Sequence, residues 1–593
     1  MEPTRIFDLL DRINQLYASK DDMLAAKENS QWVKYNAKTY TEYANYFSYG
    51  LLSLGYQSGD KIITVSNNRP EWNFIDMGMN QAGLIHVPVY PTLSFDEFEY
   101  IFEHSDAKIL ILSDKFLYKK LKPIADKIQN IKEVYVIDDV EGIKNWKEIV
   151  EAGKKAESFE IKQKLQNIKD GIKPTDLCTI IYTSGTTGTS KGVMLTHDNF
   201  LYQSRKIKEI VDINETHIAL SFLPLCHVLE RIVNYSFQYL GTSIYYAQGF
   251  ETVAENIKEV KPHVFTTVPR LLERVYDKII SKGKQLTGYK KNLFFWAVDL
   301  AHQFEFTGKS PVYKAKLALA NQLIFSQWRK ALGGNVKFVI AGGAALQPSL
   351  ATVFWAAGIP VREGYGLTET APIIAFNRQN WPGIKIGYVG QAIGDEQEIK
   401  IAEDGEILFR GPNLMLGYYK NPELTKEVID EEGWFHTGDV GLLDEEKFLK
   451  ITDRKKEIFK LSTGKYIAPQ VIENILKQSF FIEQAMVVGE NEKFPGAIIS
   501  PNLEYLHNWA SENHIEFRTN DELVENQKVI DVIKKEIMHY NKEVGSVEQV
   551  KVFKLICDEW TPGTGELSPT LKIKRKYVTQ KYDHLIQKMY TKK

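Results

Sequence analysis

The sequence IIYTSGTTGTSKGVMLTH, at residues 180–197, contains the feature that decides the fold. Apolar residues from Leu177 to Tyr182 give way abruptly to glycines and small hydroxylated residues, and Lys191 follows. This order predicts a buried strand and then a loop whose glycines let the backbone approach a ligand closely. Backbone N–H groups, hydroxyls and a lysine can surround an anion. We therefore expect a polyphosphate to bind at Thr183, Ser184, Gly185, Thr186, Thr187, Gly188 and Lys191.

The same loop has a plainer interpretation, since many runs of serine, threonine and glycine are flexible connectors. Its position directly after an apolar strand favours the binding loop. The loop is not a Walker A motif, which needs Gly-Lys followed by Ser or Thr, whereas Lys191 lies between Ser190 and Gly192. The sequence thus indicates a nucleotide without predicting the P-loop NTPase fold.

Composition and length set the class of protein. A chain of 593 residues is too long for one core, so we expect at least two domains. Amphipathic helices alternate with short apolar strands such as Lys61–Val65, which predicts an α/β layer fold. A net charge of −2 gives no reason to expect a nucleic acid partner. Cys178, Cys226 and Cys557 are too few and too scattered for a disulfide framework, which favours a reducing compartment.

The sequence also bears on location. Residues 1–17 have a helical apolar period with acids among them, unlike a signal peptide, and no apolar run is long enough to cross a bilayer. We therefore expect a cytoplasmic protein, with peripheral contact at the inner face of the membrane left open. Residues 275–330 mix aromatic and basic side chains at helical spacing, and Phe294–Trp296 adjoin Lys290 and Lys291. A helical subdomain packed on the core is the favoured interpretation, and a lipid-facing patch is the alternative.

The segment TSGTTGTSKGVMLTH, at residues 183–197, closely resembles the phosphate loop of the adenylate-forming acyl-CoA synthetases, a family that includes firefly luciferase and peptide-synthetase adenylation domains. Further segments in the family's order extend the resemblance over essentially the whole chain. One of them, PLCHVLER at residues 224–231, resembles the long-chain fatty acid ligases more than the acetate ligases. The resemblance implies that His227 lies beside the acyl pocket, although a histidine that only caps a helix remains the alternative.

The segment VREGYGLTET, at residues 361–370, is the second specific signal. A tyrosine ring can stack on a base, a threonine hydroxyl can reach a phosphate, and a carboxylate suits Mg²⁺. The resemblance gives these roles to Tyr365, Thr368 and Glu369, with Gly366 beside the nucleotide and Thr183 as the other metal position. It also places the adenine-lining turn at Gly343 and Ala344. A capped helix N-terminus is the alternative for the segment taken alone.

The remaining site residues lie towards the C-terminus. GWFHTGD, at residues 433–439, resembles the family segment whose aspartate holds both ribose hydroxyls, and a carboxylate can accept both protons. This assigns Asp439 to the ribose, with Arg454 reaching it as well. Lys456 matches the family's hinge position, and Gly464 belongs to a loop that meets CoA in the family.

LSPTLKIKR, at residues 567–575, aligns with the family's terminal lysine motif. Leu571 stands where that motif usually has glycine, so the register between Lys572 and Lys574 stays open. We assign the catalytic role to Lys572, together with Thr368 and Glu369, while a basic C-terminal tail is the alternative.

The resemblance implies an α/β protein with a large, multi-subdomain N-terminal adenylate-forming domain at residues 1–452. A hinge at 453–457 would join it to a smaller, mobile α+β C-terminal domain at 458–593. The expected activity is that of a long-chain fatty acid–CoA ligase using ATP, Mg²⁺ and CoA. Loading of an acyl-carrier protein and a catalytically silent adenylate-binding regulatory protein are the alternatives. The sequence carries no signal for acyl chain length or oligomeric state.

Overall fold

The computed structural model describes residues 2–183, 190–568 and 571–591. Three sheets are built from strands that end before residue 455, and two smaller sheets follow it. The predicted α/β fold, with a large N-terminal domain and a smaller C-terminal domain, is confirmed. Among the described residues, no helix combines the length and apolarity needed to cross a membrane.

The strands are short and mostly buried. Within the described ranges they are, in chain order, β1 Leu24–Glu28, β2 Gln31–Tyr35, β3 Lys61–Val65, β4 Ile85–Val89, β5 Ile109–Leu112, β6 Glu133–Val136, β7 Leu177–Thr183, β8 Lys191–Thr196, β9 Ile218–Ser221, β10 Ser243–Tyr246, β11 Val264–Thr267, β12 Phe338–Ala341, β13 Val361–Gly366, β14 Ile373–Phe376, β15 Gln391–Ala392, β16 Glu398–Ile401, β17 Glu406–Arg410, β18 Gly417–Tyr418, β19 Phe435–Leu443, β20 Leu449–Arg454, β21 Phe459–Lys460, β22 Tyr466–Ile467, β23 Ile482–Val488, β24 Gly496–Pro501 and β25 Val552–Leu555.

The helices pack on the faces of these sheets. In the same ranges they are α1 Asp8–Leu16, α2 Ala37–Ser53, α3 Pro70–Gln81, α4 Phe95–His104, α5 Lys115–Ala125, α6 Lys147–Ala156, α7 Phe159–Gly171, α8 His197–Ile210, α9 Val228–Leu240, α10 Val253–Val260, α11 Pro269–Lys284, α12 Gly288–His302, α13 Pro311–Ala320, α14 Ser326–Ala331, α15 Pro348–Ala356, α16 Pro422–Val428, α17 Pro469–Leu476, α18 Leu503–Glu512, α19 Asn520–Glu525, α20 Gln527–Tyr540, α21 Arg575–Lys581 and α22 Asp583–Tyr590. A π-helical turn, Asn321–Phe325, joins α13 to α14, and Thr368–Thr370 forms a 3₁₀ turn.

Two large sheets dominate the N-terminal domain. One has the order β18-β8-β7-β4-β3-β5-β6, and its strands β3 to β7 are parallel to one another. The other has the order β15-β14-β13-β12-β11-β9-β10-β1-β2, with a parallel centre from β1 to β13. Parallel strands bring their carboxyl ends to one edge of a sheet, where ligands bind in open α/β folds. The predicted phosphate loop follows β7 and the predicted adenine turn follows β12, while Tyr365 and Gly366 end β13. The predicted ribose residues Asp439 and Arg454 lie instead on the antiparallel pair β19 and β20.

A buried ionic cluster ties helices α9 and α3 to the seven-stranded sheet. Arg231 of α9, which is completely buried, donates to Asp76 Oδ1 of α3 and to Thr179 Oγ1 of β7, each at 2.7 Å. Asp76 lies 2.6 Å from the Nδ1 atom of His86 on β4. Removing one member of a buried pair leaves an uncompensated charge and costs about 3–5 kcal/mol. The cluster therefore fixes α9, with His227 at its start, against the strand that leads into the phosphate loop.

The structure decides two points that the sequence left open or misjudged. An apolar stretch from Ala219 to Leu225 could continue as strand, but β9 ends at Ser221, and beyond it Asn68 Nδ2 donates to the carbonyl oxygen of Leu223 at 2.6 Å. Phe294 is buried and Phe295 and Trp296 pack partly against the same apolar core, so the favoured helical subdomain describes them correctly.

Candidate active site

The two ends of the predicted phosphate loop lie side by side. Strands β7 and β8 pair in antiparallel fashion, with Thr183 opposite Lys191. Between them, the predicted residues Ser184, Gly185, Thr186, Thr187 and Gly188 lie outside the described residues. Lys191 Nζ lies 5.0 Å from the centre of the Tyr418 ring. Loss of hydration, followed by the positive charge of Lys456, lowers the pKa of Lys191, so this lysine lies near the predicted hinge residue.

Glu369 lies close to Lys191 in the same cleft. The Tyr418 hydroxyl donates to Glu369 Oε1 at 2.8 Å, while the ring of that tyrosine faces Lys191. Sequence reasoning missed Tyr418, since nothing in LGYYK at residues 416–420 points to a nucleotide. The preceding Thr368 is largely buried in the 3₁₀ turn. Tyr418 thus connects Glu369, the candidate metal ligand, to Lys191, the candidate phosphate-binding lysine.

The turn before Thr368 depends on a glycine. A Cβ atom at Gly366 would lie 1.6 Å from the carbonyl oxygen of Pro372, a distance that no side chain tolerates. The residue at which strand β13 runs into the 3₁₀ turn must therefore be glycine. The sequence VREGYGLTET fixes the site by backbone geometry as well as by its functional groups.

Asp439 is the centre of a three-residue arrangement. The Tyr365 hydroxyl donates to Asp439 Oδ2 at 2.7 Å, and Arg454 Nε lies 3.3 Å from Asp439 Oδ1. The antiparallel pairing of β19 with β20 places Asp439 opposite Arg454. Burial, followed by the charge of Asp439, raises the pKa of Tyr365, so its hydroxyl keeps its proton. The structure brings together the base candidate and both ribose candidates.

The adenine candidates Gly343 and Ala344 follow β12, one strand away from Tyr365. Gly343 has φ +82°, and a Cβ there would meet only one atom, Val268 Cγ1 at 3.8 Å. Ala344 is exposed. The turn is therefore open on the side where a flat ligand can lie.

His227 occupies the N-cap of α9. Its Nδ1 atom accepts the backbone N–H of Leu229 at 3.2 Å, and its ring centre lies 6.3 Å from that of Tyr90. Burial, followed by the positive charge of Lys572, lowers the pKa of His227 to about 4. The ring is therefore neutral near pH 7, and it caps the helix while facing the cleft. Tyr90, whose buried hydroxyl has no partner among the described residues, is a second side chain that sequence reasoning did not assign.

Lys572 reaches this cleft from the C-terminal domain. Its side chain is exposed to solvent, although many protein atoms lie around it. Its positive charge interacts with the charges of Arg454, Asp439 and Glu369. Loss of hydration, followed by repulsion from Arg454, lowers the pKa of Lys572 to about 8.

Lys574 points elsewhere, since its Nζ atom lies 4.0 Å from Glu97 Oε1 on α4. The residue before Lys572, Leu571, has φ +62°, a conformation that suits glycine and is uncommon for leucine. A left-handed residue thus stands where the family motif has its glycine. Both observations support Lys572 as the site lysine.

Lys456 and Gly464 lie on the connection between the domains and beyond it. Lys456 is exposed in the turn that follows β20, and the strand itself includes Asp453 and Arg454 from the predicted hinge at 453–457. Gly464 lies between β21 and β22 with φ +83°, and a Cβ there would meet no atom within 4 Å. In this arrangement Lys572 lies near the charges of Arg454, Asp439 and Glu369, whereas the loop around Gly464 is exposed.

The carboxylates of the cleft fit a metal that is held mainly by its substrate. Among the described residues, no group of three or more His, Cys, Asp or Glu side chains could hold a metal ion. Mg²⁺ usually binds one or two carboxylates together with substrate phosphates and water. The carboxylate of Glu369 lies close to Lys191 and is the kind of ligand that such a site uses. Thr183, the other predicted metal residue, lies opposite Lys191 at the start of the predicted phosphate loop.

Comparisons with known proteins agree along the chain. Residues 16–419 match the family model described as AMP-binding enzyme, and residues 456–593 match the AMP-binding enzyme C-terminal domain. The long-chain-fatty-acid–CoA ligase FadD15 of Mycobacterium tuberculosis is 32% identical over 92% of this chain and 90% of its own. The peroxisomal long chain acyl-CoA synthetase 7 of Arabidopsis thaliana is 32% identical over 91% of this chain and 79% of its own.

Solved structures share the fold at lower identity. The adenylation domain of the carboxylic acid reductase from Segniliparus rugosus, solved with AMP and a co-purified carboxylic acid, has a TM-score of 0.75. It is 20% identical, covering 99% of this chain and 94% of that one. The fatty acyl CoA synthetase of Mycobacterium tuberculosis has a TM-score of 0.63 at 19% identity, covering 98% and 99%. With matching models on both domains and relatives of this similarity, the chain belongs to the AMP-binding enzyme family.

Proposed function

We propose that this protein is a long-chain fatty acid–CoA ligase that converts ATP, a fatty acid and CoA into acyl-CoA, AMP and pyrophosphate. The observation that carries the proposal is the convergence of Tyr365, Asp439 and Arg454 with Lys572 in one cleft. These side chains suit a nucleotide whose α-phosphate is attacked by a carboxylate. The names of the relatives at 32% identity support the long-chain acid and CoA as substrates.

In the first step an oxygen of the fatty carboxylate attacks the α-phosphorus of ATP. The bond from that phosphorus to the bridging oxygen of the β-phosphate breaks, and pyrophosphate leaves. Such a transfer needs positioning and charge stabilisation more than covalent chemistry from the protein. Asp439 and Arg454 hold the ribose, Tyr365 and the Gly343–Ala344 turn hold the base, and Gly366 turns the chain beside them.

The charged groups act on the phosphates and on the carboxylate. Lys191 and the loop that begins at Thr183 bind the β- and γ-phosphates. Thr368 donates to the α-phosphate, and Lys572 stabilises the negative charge shared between that phosphate and the incoming carboxylate. Mg²⁺, bound by Glu369 and Thr183, would supply further charge neutralisation on the phosphates.

In the second step the CoA thiolate attacks the acyl carbon, and AMP leaves with its oxygen. The C-terminal domain must then present the Gly464 loop, which is exposed while Lys572 lies near Arg454, Asp439 and Glu369. We therefore propose that the chain turns at 453–457, around Lys456, between the two steps. In this proposal the domains are residues 1–452 and 458–593, and the C-terminal domain is mobile.

The acyl chain would extend past His227. This ring is neutral near pH 7 and already caps α9, so it presents an uncharged edge to an apolar chain. Each CH₂ that becomes buried contributes about 0.8 kcal/mol. We therefore expect turnover to rise with chain length. The free thiols of Cys178, Cys226 and Cys557 fit the proposed location in the reducing cytoplasm.

The deciding experiment is ATP–pyrophosphate exchange measured with acids from acetate to oleate, followed by thioester formation with CoA. We expect exchange that grows with chain length and a CoA thioester as the product. Better turnover of acetate than of palmitate would contradict the long-chain assignment. Transfer to a holo-acyl-carrier protein in place of CoA would identify a carrier-loading ligase, and no exchange with any acid would identify a silent adenylate-binding protein.

A further inference from the structure

A short segment joins two parts of the cleft that are far apart in sequence. Strand β18, Gly417–Tyr418, pairs with β8, the strand that begins at Lys191 and carries the chain away from the predicted phosphate loop. Close by, the backbone N–H of Met415 donates to the carbonyl oxygen of Glu369 at 2.8 Å. Residues 415–419, which we call the bridging segment, therefore contact both the strand that leaves the phosphate loop and the turn that carries Glu369.

The bridging segment has a fixed position. Asn199 Nδ2 of α8 donates to the carbonyl oxygens of Pro412 and Leu414, at 2.9 and 3.1 Å, just before the segment. The backbone N–H of Tyr418 donates to Thr425 Oγ1 at 2.9 Å. Because the backbone is held at both ends of the segment, the side chain of Tyr418 extends from a rigid base.

The side chain of Tyr418 is buried against the two groups that the segment connects. Its hydroxyl donates to Glu369 Oε1 at 2.8 Å, and its ring faces Lys191. Burial, followed by the negative charge of Glu369, raises the pKa of Tyr418, so the hydroxyl keeps the proton that it donates. The second carboxylate oxygen of Glu369, Oε2, accepts no hydrogen bond from the described residues and can bind a cation.

A hydrogen bond of this kind bears on how well a carboxylate binds a metal. A glutamate side chain has several rotatable bonds and loses that freedom when it becomes a ligand. A hydrogen bond from a rigid neighbour removes the freedom in advance. In metal sites such partners orient the ligand, and their loss lowers metal affinity about 10- to 100-fold. Mg²⁺ is sensitive to this orientation, since it requires nearly ideal octahedral geometry.

We propose that Tyr418 is a positioning residue for the metal, whose hydroxyl holds the carboxylate of Glu369 in the orientation that binds Mg²⁺ together with the ATP phosphates. This rests on the proposed function, in which ATP is the nucleotide and Glu369 is a metal ligand. Tyr418 acts through Glu369 and does not itself touch the substrate. Its ring also keeps Lys191 next to Glu369, so that both side chains reach the same phosphates.

Binding of an ATP analogue tests the proposal without turnover. In α,β-methylene-ATP a CH₂ group replaces the oxygen whose bond to the α-phosphorus breaks, so the analogue binds without reacting. Its affinity for the full-length protein is measured by calorimetry in excess Mg²⁺ and again in EDTA, and the ratio of the two affinities reports the contribution of the metal. We expect Mg²⁺ to tighten binding to the wild type. In Tyr418→Phe this ratio should fall about tenfold while the affinity in EDTA stays the same, because the ring and the contacts to base and ribose remain.

Tyr419 provides a matched control at the next position. Its hydroxyl donates instead to Asp106 Oδ2 at 2.9 Å, beyond the end of α4. Tyr419→Phe thus removes the same kind of hydrogen bond to a carboxylate, and it should leave both affinities unchanged.

A double-mutant cycle with Glu369→Ala shows whether Tyr418 acts through Glu369. Glu369→Ala should lower the ratio at least as much as Tyr418→Phe, and adding Tyr418→Phe to it should change the ratio by less than about twofold. In ATP–pyrophosphate exchange, Tyr418→Phe should raise the Mg²⁺ concentration for half-maximal rate about tenfold, while the rate at saturating Mg²⁺ stays within about threefold of the wild type.

If Tyr418→Phe lowers the affinity equally in Mg²⁺ and in EDTA, the tyrosine only supports the fold of the cleft and the proposal is wrong. A wild type that binds the analogue equally well in both conditions, an equal change of ratio in Tyr419→Phe, or additive effects of Tyr418→Phe and Glu369→Ala would also overturn it. Failure of the proposed function would look different, because exchange with every acid would then be absent in the wild type, while the Mg²⁺-dependent binding of the analogue and its loss in Tyr418→Phe remained.

Discussion

Arg270 of α11 forms an ion pair with Glu483 of β23, and this contact joins the N-terminal domain to the C-terminal domain. Arg274 NH2 also approaches Glu483 Oε1, at 3.4 Å. Although burial acts to raise it, the positive charge of Arg270 keeps the pKa of Glu483 below its ordinary value. If the domains turn between the two steps as proposed, the pair exists only in the orientation that brings Lys572 near Asp439 and Arg454. Under that proposal it stabilises the arrangement needed for the first step.

Replacing Glu483 by Gln should weaken that arrangement. A buried pair that loses one partner costs at most about 3–5 kcal/mol. Arg270 keeps its second pair with Glu273 at 2.8 Å, which reduces that cost, and its charge can be hydrated once the domains have turned. Adenylate formation should fall about tenfold or more, measured by pyrophosphate exchange, while thioester formation from pre-made acyl-adenylate and CoA should not fall. Arg274→Ala, which removes a longer and more exposed contact, is the control with a smaller effect. A similar loss in both steps would show that the pair has no orienting role.

Asp439→Asn tests the ribose site. The change keeps the size of the side chain but removes the charge that faces Arg454 Nε at 3.3 Å. A hydrogen bond to a charged group is worth about 1.5–3 kcal/mol, so ATP affinity should fall about 10- to 100-fold. Both steps should suffer, because AMP is held throughout.

Tyr365→Phe is the matched control for Asp439→Asn. It removes only the hydroxyl that donates to Asp439 Oδ2 and keeps the ring for stacking on the base. The hydrogen bond that is lost lies within the protein, and the carboxylate and its charge remain for the ribose, so the loss of ATP affinity should be smaller than in Asp439→Asn. Unchanged ATP binding in Asp439→Asn, measured by calorimetry, would remove Asp439 from the site.

Several features of this molecule follow directly from residue order. The five-residue run KIITV forms β3 over the predicted bounds, since apolar residues bounded by polar ones make a short buried strand. The predicted phosphate loop and the adenine-turn candidates each follow a strand of a parallel sheet region, and such strands bring ligands to their carboxyl ends, whereas Asp439 and Arg454 face each other on antiparallel strands. Local pattern and topology were sufficient for these points.

Other features depend on contacts between distant residues. Asn68 donates to Leu223, just beyond the end of β9 and 155 positions away, and Arg270 meets Glu483, 213 positions away. No periodicity reports such pairs. The apolar spacing in residues 275–330 would be the same whether the helices pack on the protein core or face lipid. Only the exposure of each side chain in the structure distinguishes these two cases.

The pH dependence of the first step should follow Lys572. This lysine stabilises negative charge only when protonated, and in the free enzyme its pKa is lowered to about 8. The rate of adenylate formation at low ATP should therefore be constant below pH 7 and fall as the pH rises through about 8. His227, with a pKa of about 4, adds no change in the neutral range. Lys572→Arg should keep its activity to higher pH, since arginine stays protonated. If the rate of this variant still falls through about pH 8, as in the wild type, another group is responsible for the fall.

Lys572 and Lys574 offer a comparison within one motif, because the two lysines contact different parts of the N-terminal domain. Lys572 acts on Arg454, Asp439 and Glu369, whereas Lys574 Nζ lies 4.0 Å from Glu97 Oε1. If Lys572 supplies charge in the first step, Lys572→Ala should lower adenylate formation by about 10²–10³-fold, the scale for losing one electrostatic stabiliser. The same variant, given acyl-adenylate and CoA, should form the thioester at nearly the wild-type rate, because the lysine has then left the site.

Lys574→Ala removes only a surface contact worth about 0–1 kcal/mol and should change either step less than tenfold. A selective defect in Lys574→Ala would move the catalytic lysine by two residues and leave the two-step mechanism intact, while equal losses of both steps in Lys572→Ala would mean that one fixed arrangement of the domains serves both.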